Sequence, residues 1–176
     1  MPTADPLLGP SPLDASHAVD GFDCGVAALD DYLTRWALAD QKAGKSRTYV
    51  ATRGRRVVAF FSLAAAGVVA ADATERVARG QGSQHIPAIM LARLAVDSRE
   101  QGAGIGRALL LDALARCEQA ADVVGVRVVL VHAKDDRARA FFFRHDFEPS
   151  PTDPLHLMVL MKDVRATLAP QRSSGE

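Results

Sequence analysis

A glycine-rich loop between a predicted strand and a predicted long helix constrains the fold of this chain more than any other feature. The loop reads Gln-Gly-Ala-Gly-Ile-Gly over Gln101–Gly106. An apolar run that ends at Val96 precedes it, and Arg107–Asp122 repeats apolar side chains at helical spacing. Glycines let a backbone approach a pyrophosphate closely, and the N–H groups at a helix start attract its charge. The segment therefore predicts a phosphate-binding loop in a domain that contains both strands and helices.

Two common phosphate-binding motifs do not fit this chain. Gly44–Ser46 resembles the end of a P-loop, but that motif requires glycine five residues earlier, where the chain has Ala39. A dinucleotide-binding fingerprint that begins at Gly102 requires a further glycine where Arg107 stands. The pattern that fits is Gln/Arg-x-x-Gly-x-Gly/Ala, which begins at Gln101.

The rest of the chain reads as one α/β or α+β domain over residues 21–169, with a loose lead-in over 1–20 and a frayed tail over 170–176. We expect an edge strand near Leu13–Val19 and a first helix that is capped by Asp23 and ends at Gly44, with Tyr32 and Trp36 in the core. The other predicted elements are a hairpin of Thr48–Thr52 and Val57–Ala71, a short helix Ala73–Arg79, strands Ala88–Val96, Val126–Val131 and Leu155–Met161, a helix from Asp135 or Asp136 to Arg144, and a last helical turn at Asp163–Leu168.

The balance of 21 basic and 21 acidic residues conceals two charged blocks. Residues 1–31 hold six acids and no base, whereas residues 32–56 hold seven bases and one acid. A local basic block can bind a polyanion even in a neutral protein, and it can equally be a solvated face.

Several function classes are disfavoured by what the sequence lacks. No apolar run is long enough for a membrane span, and the first residues have no basic segment typical of a signal peptide, so we expect a cytoplasmic protein. Cys24 and Cys117 are far apart and read as packing residues. The histidines show no metal-ligand spacing, so we expect no metal, and His132 on a predicted strand stays open as a general base.

Several segments together resemble the GCN5-related N-acetyltransferases (GNAT). They are Arg93–Asp97, the loop Gln101–Gly106, Ala140–Phe142 and Phe147. The resemblance implies a mixed, mostly antiparallel sheet with two splayed central parallel strands, flanked by helices, and acetyl-coenzyme A as cofactor. It also implies which residues bind that cofactor: Leu94, Ala95, Val96, Gln101, Gly102, Ala103, Gly104, Ile105, Gly106, Arg107, Ala108 and Phe141.

Phe142 stands where this family has the tyrosine that protonates the leaving thiolate. A phenyl ring cannot donate a proton, and losing a general acid costs about 10²–10⁴ in rate. Three explanations are open: deliberate inactivation of a toxic enzyme, another acid, or a natural non-catalytic relative. Asp146 likewise stands where the family has glycine, and Asp tolerates a positive φ better than most residues.

The N-terminal part resembles the GNAT toxins of type II toxin–antitoxin systems. The resemblance is carried by Phe22-x-Cys24, Leu29-x-x-Tyr32-Leu33, Ala43-Gly44, Arg47–Val50 and Ile86-Pro87. It implies acetylation of the α-amino group of aminoacyl-tRNA, which stops translation. It further implies a homodimer and a ribbon-helix-helix antitoxin, with operator DNA bound only through the toxin–antitoxin complex, which represses its own promoter.

The basic block supplies side chains suited to tRNA phosphates. The candidates are Arg35, Lys42, Lys45, Arg47 and Arg93, together with the turn Arg53–Arg56. No aromatic pattern typical of RNA readers is seen, so we expect recognition of phosphate and shape. The alternatives are an acetyltransferase for a small molecule or a protein, and a non-catalytic acetyl-CoA-binding relative.

Overall fold

The computed structural model describes residues 4–82 and 85–170. Its strands are β1 (Leu7–Pro12), β2 (Arg47–Arg53), β3 (Arg56–Val68), β4 (Ile86–Val96), β5 (Val128–His132), β6 (Glu148–Pro149) and β7 (His156–Leu160). Its α-helices are α1 (Ala27–Asp31), α2 (Ala37–Lys42), α3 (Glu75–Ala78), α4 (Ile105–Ala121), α5 (Asp136–Phe143) and α6 (Met161–Leu168). A π-helical turn, Tyr32–Trp36, joins α1 to α2. The strands follow the order β1-β2-β3-β4-β5-β7-β6 in a mixed sheet, as the α/β prediction requires.

The chain divides into two compact units. The first unit comprises Met1–Ala65 with Met90–Ala113, and the second comprises Ala66–Ile89 with Leu114–Glu176. The single domain over residues 21–169 stays a prediction. The frayed tail predicted over 170–176 lies outside the described residues, except for Pro170.

The first unit is built around the hairpin β2–β3, whose antiparallel register runs from Arg47 opposite Leu63 to Arg53 opposite Arg56. Gly54 closes the turn at φ +59°, a left-handed conformation that glycine adopts without strain. One face of the hairpin packs on the first helical segment in a core of Leu13, Phe22, Tyr32, Leu33, Ala37, Val50, Val57, Phe60 and Ala95. Apolar burial at these positions holds the N-terminal segment against the sheet.

Three details of the first unit differ from the sequence predictions. The edge strand lies at Leu7–Pro12, before the predicted Leu13–Val19. The first helix begins at Ala27, because Asp23 caps a local turn instead: its carboxylate accepts from the N–H of Gly25. Trp36 is 58% exposed, so its placement in the core was wrong, whereas Tyr32 is buried as predicted.

The second unit pairs β5 with β7 in antiparallel register, from Val128 opposite Leu160 to His132 opposite His156. The two-residue strand β6, which the sequence did not indicate, pairs with β7. Asp135 caps α5 as predicted, accepting a hydrogen bond from the N–H of Ala138 at 2.9 Å. Helix α5 ends before Asp146, whose φ of +68° explains why the family has glycine at this position.

None of the described helices is both long and apolar enough to cross a membrane.

Candidate cofactor loop and basic surface

The glycine loop of the first unit has an open, left-handed backbone. Gly102 and Gly104 have φ values of +85° and +81°, and nothing lies within 4 Å of a Cβ built at either position. Helix α4 begins at Ile105, two residues earlier than predicted, so Gly106 belongs to its first turn. The first N–H groups of an α-helix have no partner within the helix, and they carry the positive end of its dipole. Loop and helix start together form a cradle for an anion.

Gln101 holds the loop by its side chain. Its carboxamide nitrogen donates to the carbonyl of Val96 at 2.9 Å and to the carbonyl of Cys24 at 3.3 Å. The N–H of Ser98 donates to the carbonyl of Asp23 at 2.8 Å. The N-terminal segment and the end of β4 therefore position the loop jointly.

Asp97 forms a buried anchor just before the loop. Its side chain is fully buried, and Oδ1 and Oδ2 accept from Nε and Nη2 of Arg99, both at 2.9 Å. The backbone N–H groups of Arg99 and Asp23 donate to the same carboxylate. The Arg99 hydrogen bond holds the pKa of the Asp97 carboxyl well below its usual range, although burial opposes the shift.

Glu100 forms a second anchor with the β2–β3 hairpin. Its carboxylate accepts from Nε of Arg53 at 2.9 Å and from Nη2 of Arg53 at 3.1 Å, with Nη2 of Arg56 at 3.4 Å. Hydrogen bonding from Arg53 lowers the pKa of the Glu100 carboxyl. Two guanidinium groups of the basic block thus bind a carboxylate next to the cofactor loop.

The structure places the remaining predicted cofactor residues along one stretch of the first unit. Ala95 is buried in β4, with Leu94 and Val96 half-buried on either side. In α4 Ile105 is buried, whereas Arg107 and Ala108 are exposed, as are the loop residues Gln101–Gly104. The chain thus brings eleven of the twelve predicted cofactor residues into this unit, all except Phe141.

The predicted tRNA-binding residues fall into two groups. Arg35, Lys42, Lys45 and Arg47 are exposed. Arg93 is half-buried, and its guanidinium carbon lies 3.4 Å from the centroid of the Tyr32 ring. This cation–π contact leaves Arg93 less accessible than the other four.

The turn Arg53–Arg56 makes contacts within the first unit, although Arg55 remains exposed. Arg53 and Arg56 bind Glu100, and Nε of Arg55 donates to the carbonyl of Ser16 at 3.0 Å. Nη1 of Arg56 is buried and has no hydrogen-bond partner among the described residues. The exposed cations of the block are therefore those of residues 35–47 together with Arg55, whereas Arg53 and Arg56 are half-buried.

In the second unit, Phe142 is buried at 6% exposure in an aromatic cluster. Its ring packs edge-on against Phe141, with centroids 5.1 Å apart, and against Phe147, at 5.4 Å. The cluster fixes the ring that stands in the position of the family's tyrosine.

His132 is exposed and stacks on His156, with ring centroids 3.8 Å apart. Partial burial and the neighbouring His156 lower the pKa of His132. Cys117 is buried and Cys24 is half-buried, and burial raises the pKa of the Cys24 thiol to about 11. Over residues 4–82 and 85–170, no cluster of three or more His, Cys, Asp or Glu side chains is arranged to hold a metal ion.

Sequence reasoning missed both anchors. The acidic residues of the anchors, Asp97 and Glu100, flank Arg99 directly before the loop, but their partners Asp23 and Arg53 lie far away in sequence. The helical spacing also predicts a buried Trp36, because it carries no signal for the π-helical turn at Tyr32–Trp36.

Comparison with known proteins identifies similar sequences over nearly the whole chain. The profile of the Acetyltransferase (GNAT) domain family matches residues 44–149. A tRNA-acetylating toxin of Mycobacterium tuberculosis is 52% identical over 159 residues, which cover 90% of this chain and 95% of the relative. A probable toxin TacT of Sinorhizobium fredii is 32% identical over 170 residues, covering 89% and 93%.

Solved structures of toxins have the same fold. AtaT complexed with acetyl-methionyl-tRNAfMet matches with a TM-score of 0.82 and 25% identity, over 89% of this chain and 95% of that chain. A tyrosine-to-phenylalanine mutant of AtaT, bound to the C-terminus of the antitoxin AtaR and to acetyl-CoA, matches with a TM-score of 0.80 and 27% identity, over 93% and 99%. The AtaT–AtaR complex bound to DNA matches with a TM-score of 0.75 and 25% identity, over 90% and 98%.

Proposed function

Because this chain belongs to the GNAT acetyltransferases, and within them to the tRNA-acetylating toxins, we propose that it transfers an acetyl group from acetyl-CoA to the α-amino group of aminoacyl-tRNA. The acetylated amine can no longer form a peptide bond, so translation stops. The single observation that carries the proposal is the 52% identity to a tRNA-acetylating toxin over nearly the full length of both chains. A small-molecule or protein acetyltransferase is not favoured, because the relatives are toxins.

The backbone geometry of the glycine loop also supports binding of the pyrophosphate of acetyl-CoA, independently of the relatives. Two left-handed glycines leave the backbone bare, and the start of α4 offers N–H groups that have no partner within the helix. We propose that the N–H groups of residues 102–107 hold the pyrophosphate, as the spacing from Gln101 predicts. The side chain of Gln101 positions the loop and leaves the phosphate contacts to the backbone. Acetyl-CoA, when bound, supplies an activated thioester.

The exposed cations Arg35, Lys42, Lys45 and Arg47 are suited to the phosphates of the tRNA. A protein of zero net charge can still attract a polyanion through a local positive surface, and only the part of the polyanion at that surface is bound. We assign tRNA docking to these four residues. Arg93, which packs on the Tyr32 ring, is assigned a role in positioning the bound tRNA.

Phe142 lacks the hydroxyl that the tyrosine of this family contributes. A related toxin, AtaT, has been solved as a tyrosine-to-phenylalanine mutant with acetyl-CoA bound, which supports the view that such a chain binds its cofactor. We therefore propose that this chain binds both substrates and transfers acetyl slowly. Phe141 and Phe147 pack against the ring of Phe142, and we expect them to hold a tyrosine ring at position 142 in the same way.

The relatives also support a partner. AtaT has been solved with the antitoxin AtaR, and the AtaT–AtaR complex has been solved with DNA. We propose a cognate antitoxin of the ribbon-helix-helix type, operator binding through the complex, a toxin homodimer and a cytoplasmic location.

The test compares the chain with its Phe142→Tyr variant. Each protein is incubated with labelled acetyl-CoA and, separately, with aminoacyl-tRNA, uncharged tRNA and a polyamine. We expect label on aminoacyl-tRNA alone and a rate about 10²–10⁴-fold higher for the tyrosine variant, which is the usual contribution of a general acid. Label on the polyamine alone would refute the toxin function. Equal rates for the two proteins would show that another group donates the proton, and no label despite cofactor binding would indicate a non-catalytic relative.

A further inference from the structure

Trp36 presents a large aromatic face to solvent within the basic block, next to Arg35. It is the only tryptophan in the chain and is 58% exposed. Its neighbours in the same turn, Tyr32 and Leu33, are 5% and 2% exposed. Over residues 4–82 and 85–170, no aromatic ring or guanidinium group packs on the indole.

The exposure of Trp36 results from the π-helical turn. The N–H of Ala37 donates to the carbonyl of Tyr32, a spacing of five residues, whereas in an α-helix the N–H of Trp36 would do so. Ala37 therefore takes the position against the core and is fully buried, while Trp36 is turned outward. Single π-helical turns are rare and occur frequently at functional sites, which makes the exposed Trp36 a candidate functional residue.

The exposed cations of the same segment favour a polyanion. The Arg35 side chain is 72% exposed, and Nε lies 3.9 Å from its nearest acid, Asp31. The Lys45 side chain is also 72% exposed, with Nζ 3.9 Å from Asp40. Contacts this long between exposed groups are weak and leave the cations available to another anion.

We propose that Trp36 is a stacking platform for an unpaired base at the single-stranded 3′ end of the aminoacyl-tRNA, with Arg35 on the adjoining phosphate. The inference rests on the proposed function and adds a base contact to it. Unpaired nucleotides are recognised by aromatic stacking beside cations, and any base offers a π face, so the contact does not depend on sequence. A protein partner would bring no chain of phosphates to the cations of residues 35–47.

The single tryptophan makes the proposal directly measurable. The chain itself is titrated with uncharged tRNA while the fluorescence of Trp36 is recorded, and binding is followed independently by the anisotropy of end-labelled tRNA. A second titration uses the same tRNA trimmed of its single-stranded 3′ nucleotides. We expect intact tRNA to quench the indole and trimmed tRNA to bind without quenching.

Variants then measure the contribution of the contact. Trp36→Ala is expected to weaken tRNA binding about 5- to 150-fold, the range that stacking of one base gives, and Trp36→Phe to retain most of the affinity. Phe143→Ala is the matched control, because Phe143 is another aromatic residue that is 57% exposed, and it should leave the affinity unchanged. Circular dichroism confirms that each variant is folded.

The outcomes separate this inference from the proposed function. If tRNA binds but fluorescence does not change, or if trimmed tRNA quenches equally, the stacking contact is refuted while tRNA binding stands. If anisotropy detects no tRNA binding to the parent chain, the proposed function fails first. If Trp36→Ala changes only the oligomeric state, measured by light scattering, the indole lies between copies of the chain and the inference is overturned.

Discussion

Replacing Glu100 by Gln tests whether the cofactor loop is positioned by a distant arginine. Glutamine keeps the shape of the side chain but removes the charge that binds Arg53 through two hydrogen bonds of 2.9 and 3.1 Å. The side chain of Glu100 is 13% exposed, whereas those of Arg53 and Arg56 are 27% and 37% exposed. Water can therefore resolvate the arginines in part but reaches the carboxylate poorly.

The magnitude follows from these contacts. Hydrogen bonds to charged groups contribute about 1.5–3 kcal/mol, and the partial exposure of the arginines reduces the loss. We expect Glu100→Gln to lower the free energy of unfolding by about 1–2 kcal/mol. Because Glu100 directly precedes Gln101, a loosened anchor leaves the loop less ordered before binding, and the Kd for coenzyme A should rise roughly fivefold, corresponding to about 1 kcal/mol of lost preorganisation.

The assay combines urea unfolding with calorimetric titration of coenzyme A. The control is Glu75→Gln, since the Glu75 side chain is 92% exposed and 4.0 Å from its partner Arg79. Glu100→Gln should have a smaller effect in an Arg53→Met background, because only the 3.4 Å contact from Arg56 remains. Since the fold lowers the pKa of Glu100, its contribution is full above about pH 5 and is lost as the pH falls through the lowered pKa. An unchanged Kd together with lowered stability would refute the positioning role and leave Glu100 as a structural residue only.

Three further predictions concern the cofactor loop and the turn that follows α5. Asp97→Asn should lower the free energy of unfolding by about 2–3 kcal/mol, because it removes the buried carboxylate that binds Arg99; in urea unfolding the difference from the parent should persist at pH 5 and shrink only in strong acid, since the pKa of Asp97 is lowered. Gly104→Ala should lower the free energy of unfolding by about 1–2 kcal/mol and weaken coenzyme A binding, because Gly104 has a φ of +81°. The control Gly125→Ala should change neither stability nor binding, since Gly125 has no positive φ and open space where a Cβ would lie. Asp146→Gly should raise the melting temperature by relieving a φ of +68°, and Asp146→Ala should lower it.

The local features of this fold were predictable from the sequence. The loop and helix α4 follow from glycine spacing and helical periodicity, and the turn at Gly54 follows from glycine between two apolar runs. Asp135 caps α5 through the N–H of Ala138, three residues away. Each of these depends on residues close together in the chain.

The features that the sequence did not reveal depend on contacts between distant residues. Trp36 has the spacing of a core residue, but the bond from Ala37 to Tyr32 shifts the helix by one residue. The basic block reads as continuous, yet Glu100, more than 40 residues away, binds Arg53 and Arg56. Counting charges along the chain cannot show which cations have a distant partner, and the tRNA-binding role of the exposed residues 35–47 stays a prediction.

The attachment of the cofactor loop to the N-terminal segment has a consequence for the order of folding. The hydrogen bond from Gln101 to Cys24 closes 77 residues of chain, and that from Asp23 to Asp97 closes 74. Closing so long a segment costs the chain conformational entropy before the contact can stabilise the fold. Such contacts therefore form late. During synthesis, residues 21–24 leave the ribosome long before the loop that they support. Competence to bind coenzyme A should therefore appear as one of the last events of folding, and refolding followed by cofactor binding should lag behind refolding followed by helix content.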